Sequence, residues 1–65
     1  MKNSEIQHII DEYIHNERHR EILHDRWIDG LTFEELAEMY DYSVRQVKRI
    51  VHKYDYLLEI INKQG

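Results

Sequence analysis

The residues most able to do chemistry at a surface lie between Ser43 and Lys53. In this stretch Arg45, Lys48, Arg49 and Lys53 occur with no intervening acid. At helical spacing Val47, Ile50 and Val51 form an inward stripe, and Val44, Arg45, Lys48, Arg49 and His52 fall on the other side. An exposed helix face of this kind presents planar guanidinium forks, which match the paired acceptors of a guanine edge, and ammonium groups, which neutralise phosphates. Ser43, Val44, Arg45, Lys48 and Arg49 are therefore the candidates for base edges, with Val44 suited to a thymine methyl. Lys48 also suits phosphates, together with Thr32, Gln46, His52 and Lys53. The plain alternative is a solvated charged face, and the surrounding elements decide against it.

Those elements are marked by caps. Thr32 with Glu35 and Ser43 with Gln46 each have the capping-box spacing, and Leu31 with Leu36 and Tyr42 with Val47 stand in the staple positions. The pattern predicts a short helix from Phe33 over about two turns, with Phe33, Leu36, Ala37 and Tyr40 inward. A tight corner at Asp41-Tyr42 leads into a second helix from Ser43 to about Tyr54. Two short capped helices separated by about three residues form a helix-turn-helix, whose second helix is free to enter a major groove.

Upstream, Ser4 with Gln7 reads as a third capping box. Ile6, Ile9, Ile10, Tyr13 and Ile14 then repeat with helical period, which predicts a helix over 4–15. A second helix is expected from Glu17 to Ile28, interrupted from the first at Asn16 and ended at Asp29-Gly30, where glycine can take the left-handed conformation. Beyond Tyr54 no glycine or proline intervenes before the last residue. Val47, Val51, Tyr54, Leu58 and Ile61 are spaced 4, 3, 4 and 3, so the helix is expected to run on as a short heptad stripe, broadened by Leu57 and Ile60. The apolar first and last helices can pack within one chain or pair between two chains. The second arrangement, a symmetric homodimer, is the expectation, because helix-turn-helix proteins commonly read paired half-sites.

The expected fold is thus all-α, a bundle of four or five helices forming one domain over 1–65. With 65 residues, 42% hydrophobic content and no cysteine, neither disulfides nor thiolate zinc sites can reinforce it. No apolar run approaches the roughly 20 residues of a membrane span, and no signal-like start is visible, so a cytoplasmic protein is expected. The net charge of −4 is unevenly distributed. Residues 1–40 carry four basic and ten acidic side chains, whereas Asp41 to Tyr54 carry four basic and one acidic. Local field rather than total charge governs attraction to phosphate.

Other chemistries fit less well. His15 and His19, with Glu12 and His24 nearby, have the spacing of a histidine and carboxylate zinc site, but the H-E-x-x-H pattern is absent, so no metal or other cofactor is expected. Ser4 and Ser43 read as caps, and there is no nucleophilic cysteine or glycine-rich phosphate loop. Glu34 and Glu35, being adjacent on a helix, point about 100° apart, so an enzyme is not expected. Trp27, Tyr40, Tyr42, Tyr54 and Tyr56 are interleaved with core positions rather than aligned as a base-stacking platform. Histidines charge below about pH 6.5, so any affinity for DNA should rise on mild acidification.

The stretch from Arg20 to Tyr54 resembles the promoter-reading fourth region of bacterial sigma-70 factors and related small regulators. The resemblance is carried chiefly by D-G-L-T-F-E-E-L-A at Asp29 to Ala37 and S-V-R-Q-V-K-R-I at Ser43 to Ile50. It implies that Ala37 lets the two helices cross closely and that Ser43 to Arg49 opens the recognition helix. Where the family usually has glycine in the turn, this chain has Asp41. The implied function is sequence-specific binding of double-stranded DNA by a small transcriptional regulator, of a kind common in phages and mobile elements, rather than by a complete sigma factor. The alternative is an adaptor that imitates the sigma region and engages RNA polymerase or another protein through its acidic first forty residues.

Overall fold

A computed structural model describes residues 3–64, so the outermost residues of the expected 1–65 domain lie outside the described residues. Five helices follow in order: α1 (Asn3–Tyr13), α2 (Glu17–Trp27), α3 (Phe33–Tyr40), α4 (Val44–Lys53) and α5 (Tyr56–Gln64). The all-α class is as the sequence pattern predicts, with no strand among the described residues. None of the described helices is long and apolar enough to cross a membrane.

Each short helix is held by the groups at its ends. The Thr32 hydroxyl accepts from the Glu35 amide at 3.1 Å, and the Glu35 carboxylate accepts in return from the Thr32 amide at 3.1 Å. Ser43 and Gln46 repeat the exchange at 3.1 and 3.0 Å, so both expected boxes form in full. Asn16 is more than an interruption. Its extended backbone and its side-chain oxygen, 3.1 Å from the His19 amide, make it the cap of α2. The box expected at Ser4 does not form. The helix already includes Asn3, which leaves Ser4 no orphan amide to cap, and Gln7 donates forward to Asp11 at 3.0 Å.

The α3–α4 corner turns on Asp41, whose φ of 58° and ψ of 42° are left-handed. This is the conformation for which glycine is the usual choice, and aspartate tolerates it better than most residues. Tyr42 then donates to the Ala37 carbonyl at 2.9 Å, which closes the end of α3. Gly30, with φ of 75°, ends the α2 segment as expected.

The stripes from all five helices meet in one core. Ile10, Ile14, Ile22, Leu23, Leu36, Val47 and Leu57 are fully buried, and Ala37 is buried beside Leu36 on α3. Trp27, Phe33 and Tyr40, expected inward, are only half-buried at its edge. The helix expected to run through Tyr54 instead breaks there. The Tyr54 and Asp55 amides bond three residues back, to Val51 and His52, in a tight turn before α5 begins. The break shifts the helical phase, so Leu57 is buried and Leu58, which the heptad reading placed inward, is 37% exposed. Two side-chain contacts stabilise the turn. The Tyr54 hydroxyl meets His19 Nδ1 at 2.7 Å, and the Asp55 carboxylate accepts from His52 Nδ1 at 2.9 Å. Short acidic side chains favour such local bonds over helix continuation.

The first helix packs on both α2 and α5 of its own chain. Ile6, Ile9, Ile10 and Ile14 are thereby buried together with Leu57 and Ile61. Much of the apolar surface that suggested pairing between chains is covered within one, with Tyr13 and Leu58 left exposed.

Candidate nucleic-acid interface

The capping of α4 at Ser43 fixes where its exposed basic face starts. Val47 and Val51 are buried, and Arg45, Lys48, Arg49, His52 and Lys53 are exposed on the same helix. Among the described residues, no ion pair involves Arg45, Lys48, Arg49 or Lys53. Four cationic groups on one ten-residue helix therefore face solvent without neutralisation by the chain's own carboxylates. An arginine fork in this state can approach a guanine edge at no cost of breaking an internal pair.

The remaining candidates divide. Val44 is half-buried and packs against the core, so only part of its side chain faces outward. The Ser43 hydroxyl and the Gln46 amide oxygen are engaged with each other in the cap, which leaves the Gln46 amide nitrogen as the donor available outside it. Thr32 is exposed at the start of α3, with its hydroxyl accepting from Glu35. These hydrogen bonds, the backbone one foremost, hold the Glu35 carboxyl below its ordinary range, so it is anionic at neutral pH and keeps the cap closed.

One residue of this surface has no signal in the local sequence pattern. Arg26 of α2 lies over the Phe33 ring, with its guanidinium carbon 4.5 Å from the centroid, and donates to the Leu31 carbonyl at 2.8 Å. The Lys48 ammonium lies 5.8 Å from the same centroid, and the His52 ring 6.3 Å. Phe33 thus gathers nitrogen-bearing groups from two helices beside the start of α3. Helical periodicity cannot place Arg26 there, because the loop at Leu31 brings α2 and α4 together through space rather than along the chain. The geometry sets Lys48 toward this edge, which suits a phosphate better than a base.

The histidines expected near one another do not gather as a ligand set. His8 pairs with Glu12 at 3.0 Å, His15 is exposed between helices, and His19 meets Tyr54. Burial, and secondarily the charge of Lys53, hold the His19 imidazole below its ordinary range. A different group comes together at the end of α2, where ligand atoms of His24, Asp25 and Asp29 lie within 4.8 Å of one another. Its members already satisfy each other. His24 Nδ1 lies 3.3 Å from Asp25, and the other Asp25 oxygen accepts from the Tyr40 hydroxyl, which ties α2 to α3. Burial, together with that bond to an anion, raises the Tyr40 phenol well above its usual range, so it remains a donor.

The sequence model of the family Sigma-70, region 4 matches residues 16–53, from the cap of α2 through the end of α4. The chain belongs to the sigma-70 region 4 family. This family is a DNA-binding helix-turn-helix domain, so the α3–α4 corner is that motif and α4 its second helix. No curated protein and no solved structure matches the chain. The matched span excludes α1 and α5, which complete the core from outside the sigma-70 region 4 segment.

Proposed function

We propose that the chain is a sequence-specific binder of double-stranded DNA that acts as a transcriptional regulator and lays α4 in the major groove. The observation that carries this reading is the set of unneutralised cations on α4, projecting from a helix start fixed by a complete capping box. Arg45 and Arg49, one turn apart, face the base edges. Lys48, Arg26, Lys53 and the amino end of α3 at Thr32 bear on flanking phosphates, and His52 joins them. Two such corners in a homodimer would read inverted half-sites about 34 Å apart.

The test begins with selection of bound fragments from a random duplex pool. Arg45→Ala and Arg49→Ala should each weaken binding to the selected duplex by about 1–3 kcal/mol and relax preference at one position, with the helical circular dichroism retained. Lys48→Ala should weaken all duplexes alike and lower the salt slope by about one. Selection of no sequence, or arginine variants that bind the selected duplex as the parent does, would refute the reading. Sedimentation with and without that duplex tests the dimer.

A second reading has its own support. Ile6, Trp27, Phe33, Val51, Leu58 and Ile61, together with Arg26, His52 and Asp55, line an open groove of about 490 Å³ on the bundle. A largely apolar groove with a polar edge, on an otherwise acidic chain, suits the adaptor role, with RNA polymerase or another protein as the partner. Arginine variants of α4 that lose DNA and keep that partner separate the two roles.

A further inference from the structure

Among the five histidines, only His52 stands on α4, one turn after Lys48 on the exposed face. It is held from one side only. Asp55, in the turn before α5, accepts from His52 Nδ1 at 2.9 Å. A carboxylate can only accept, so Nδ1 carries a hydrogen whether the ring is neutral or charged. Titration is thereby confined to Nε2, the nitrogen not engaged by Asp55. Neutral, Nε2 presents a lone pair, which a phosphate oxygen cannot bond. Protonated, it presents a charged N–H donor, the stronger kind of phosphate contact.

The neighbours of His52 fix the sign of the effect. From α2 comes Arg26 and from α4 Lys48, both over the Phe33 ring that His52 also approaches, and from the turn comes Asp55. The α3 neighbour is Phe33 itself, and α1 and α5 contribute Ile6, Leu58 and Ile61 to the adjoining groove, none of them charged. A phosphate seated beside Arg26 and Lys48 would bring negative charge to the Nε2 side of the ring, and an opposite charge at that range favours the protonated form.

We propose that His52, oriented by Asp55, is a proton-gated phosphate contact: binding of duplex DNA drives proton uptake at Nε2, and mild acidification tightens binding by the same linkage. The inference rests on the DNA-binding reading above and adds to it a dependence on pH located at one atom.

The experiment uses the full chain and a duplex selected from the random pool, with affinity measured by fluorescence anisotropy at pH 8, 7 and 6 and at several salt concentrations. Calorimetry in two buffers of different ionisation enthalpy counts the protons taken up on binding. Wild-type affinity is expected to rise by up to about tenfold per pH unit where His52 titrates, one linked proton setting that ceiling. Its salt slope at pH 6 should exceed that at pH 8 by about 0.9, the increment of one added phosphate contact. His52→Gln, which has no proton to gain in this range, should lose the rise between pH 8 and pH 6. His52→Lys, whose charge is fixed, should bind at pH 8 about as the wild type does at pH 6. Proton uptake that persists undiminished in His52→Gln, or a loss in that variant as large at pH 8 as at pH 6, would overturn the inference and leave DNA binding standing. A chain that binds no duplex overturns both.

Discussion

Replacing Asp41 isolates the energetics of the corner that aims α4. With φ of 58° and ψ of 42°, the residue occupies a region that costs an ordinary L-residue about 1–2 kcal/mol, and aspartate less. Asp41→Ala keeps the strain and loses the polar side chain that eases it, so a loss of about 1 kcal/mol is expected. Asp41→Val, with a branched Cβ, should lose more. Asp41→Gly removes the strain but adds about 0.5–1 kcal/mol of unfolded-state entropy, so it should fall close to the parent. For a domain of this length 1 kcal/mol corresponds to about 4–8 °C in Tm, well within the reach of thermal melts followed by circular dichroism. The expected order of stability is glycine and aspartate together, then alanine, then valine. An alanine variant as stable as the glycine variant would refute the argument, because it would mean that the left-handed turn carries no strain.

Three further outcomes follow from the same structure. Ser43→Ala removes the α4 cap and should cost about 1 kcal/mol, read in the melt, with faster amide exchange in the first turn of α4. Leu36→Ala truncates a fully buried side chain and should cost about 2–5 kcal/mol, enough to unfold much of a domain this small, as amide spectral dispersion would report. The His19 imidazole is held below its ordinary range in the fold, so the unfolded chain binds the extra proton more readily. Its stabilising contribution is present above the ordinary histidine range and is lost as pH falls through the lowered folded value. The urea midpoint should therefore decline from pH 7 to pH 5, and His19→Gln should flatten that decline.

What the sequence disclosed and what it withheld separate along physical lines. Capping boxes are local, with donor and acceptor three residues apart, so Thr32 with Glu35 and Ser43 with Gln46 could be read directly and the α3–α4 corner with them. The same spacing at Ser4 and Gln7 misled, because a capping box needs a helix that starts there, and α1 already includes Asn3. The end of α4 was hidden for a different reason. No glycine or proline marks it, and the turn at Tyr54-Asp55 is held by His19, 35 residues away in the chain. Periodicity alone therefore set Leu58 in the stripe and Leu57 at its margin, where the fold has the reverse. Arg26 was invisible as a member of the basic surface because only the folded loop at Leu31 sets it over Phe33. Arg45 and Arg49 were legible as an exposed pair, since their outward placement follows from the valines between and beyond them.

The terminal helices have a consequence for handling the domain. Among the described residues, seven of the thirteen buried apolar side chains (Ile6, Ile9, Ile10, Ile14, Tyr54, Leu57 and Ile61) fall outside the 16–53 span that defines membership of the family. A peptide trimmed to that span would keep every arginine and lysine of α4, yet lose the greasy lid and floor that clamp it. Such a minimal fragment should be a sticky, loosely ordered coil, and grafting the basic face of α4 onto another protein would require carrying both flanking rods along.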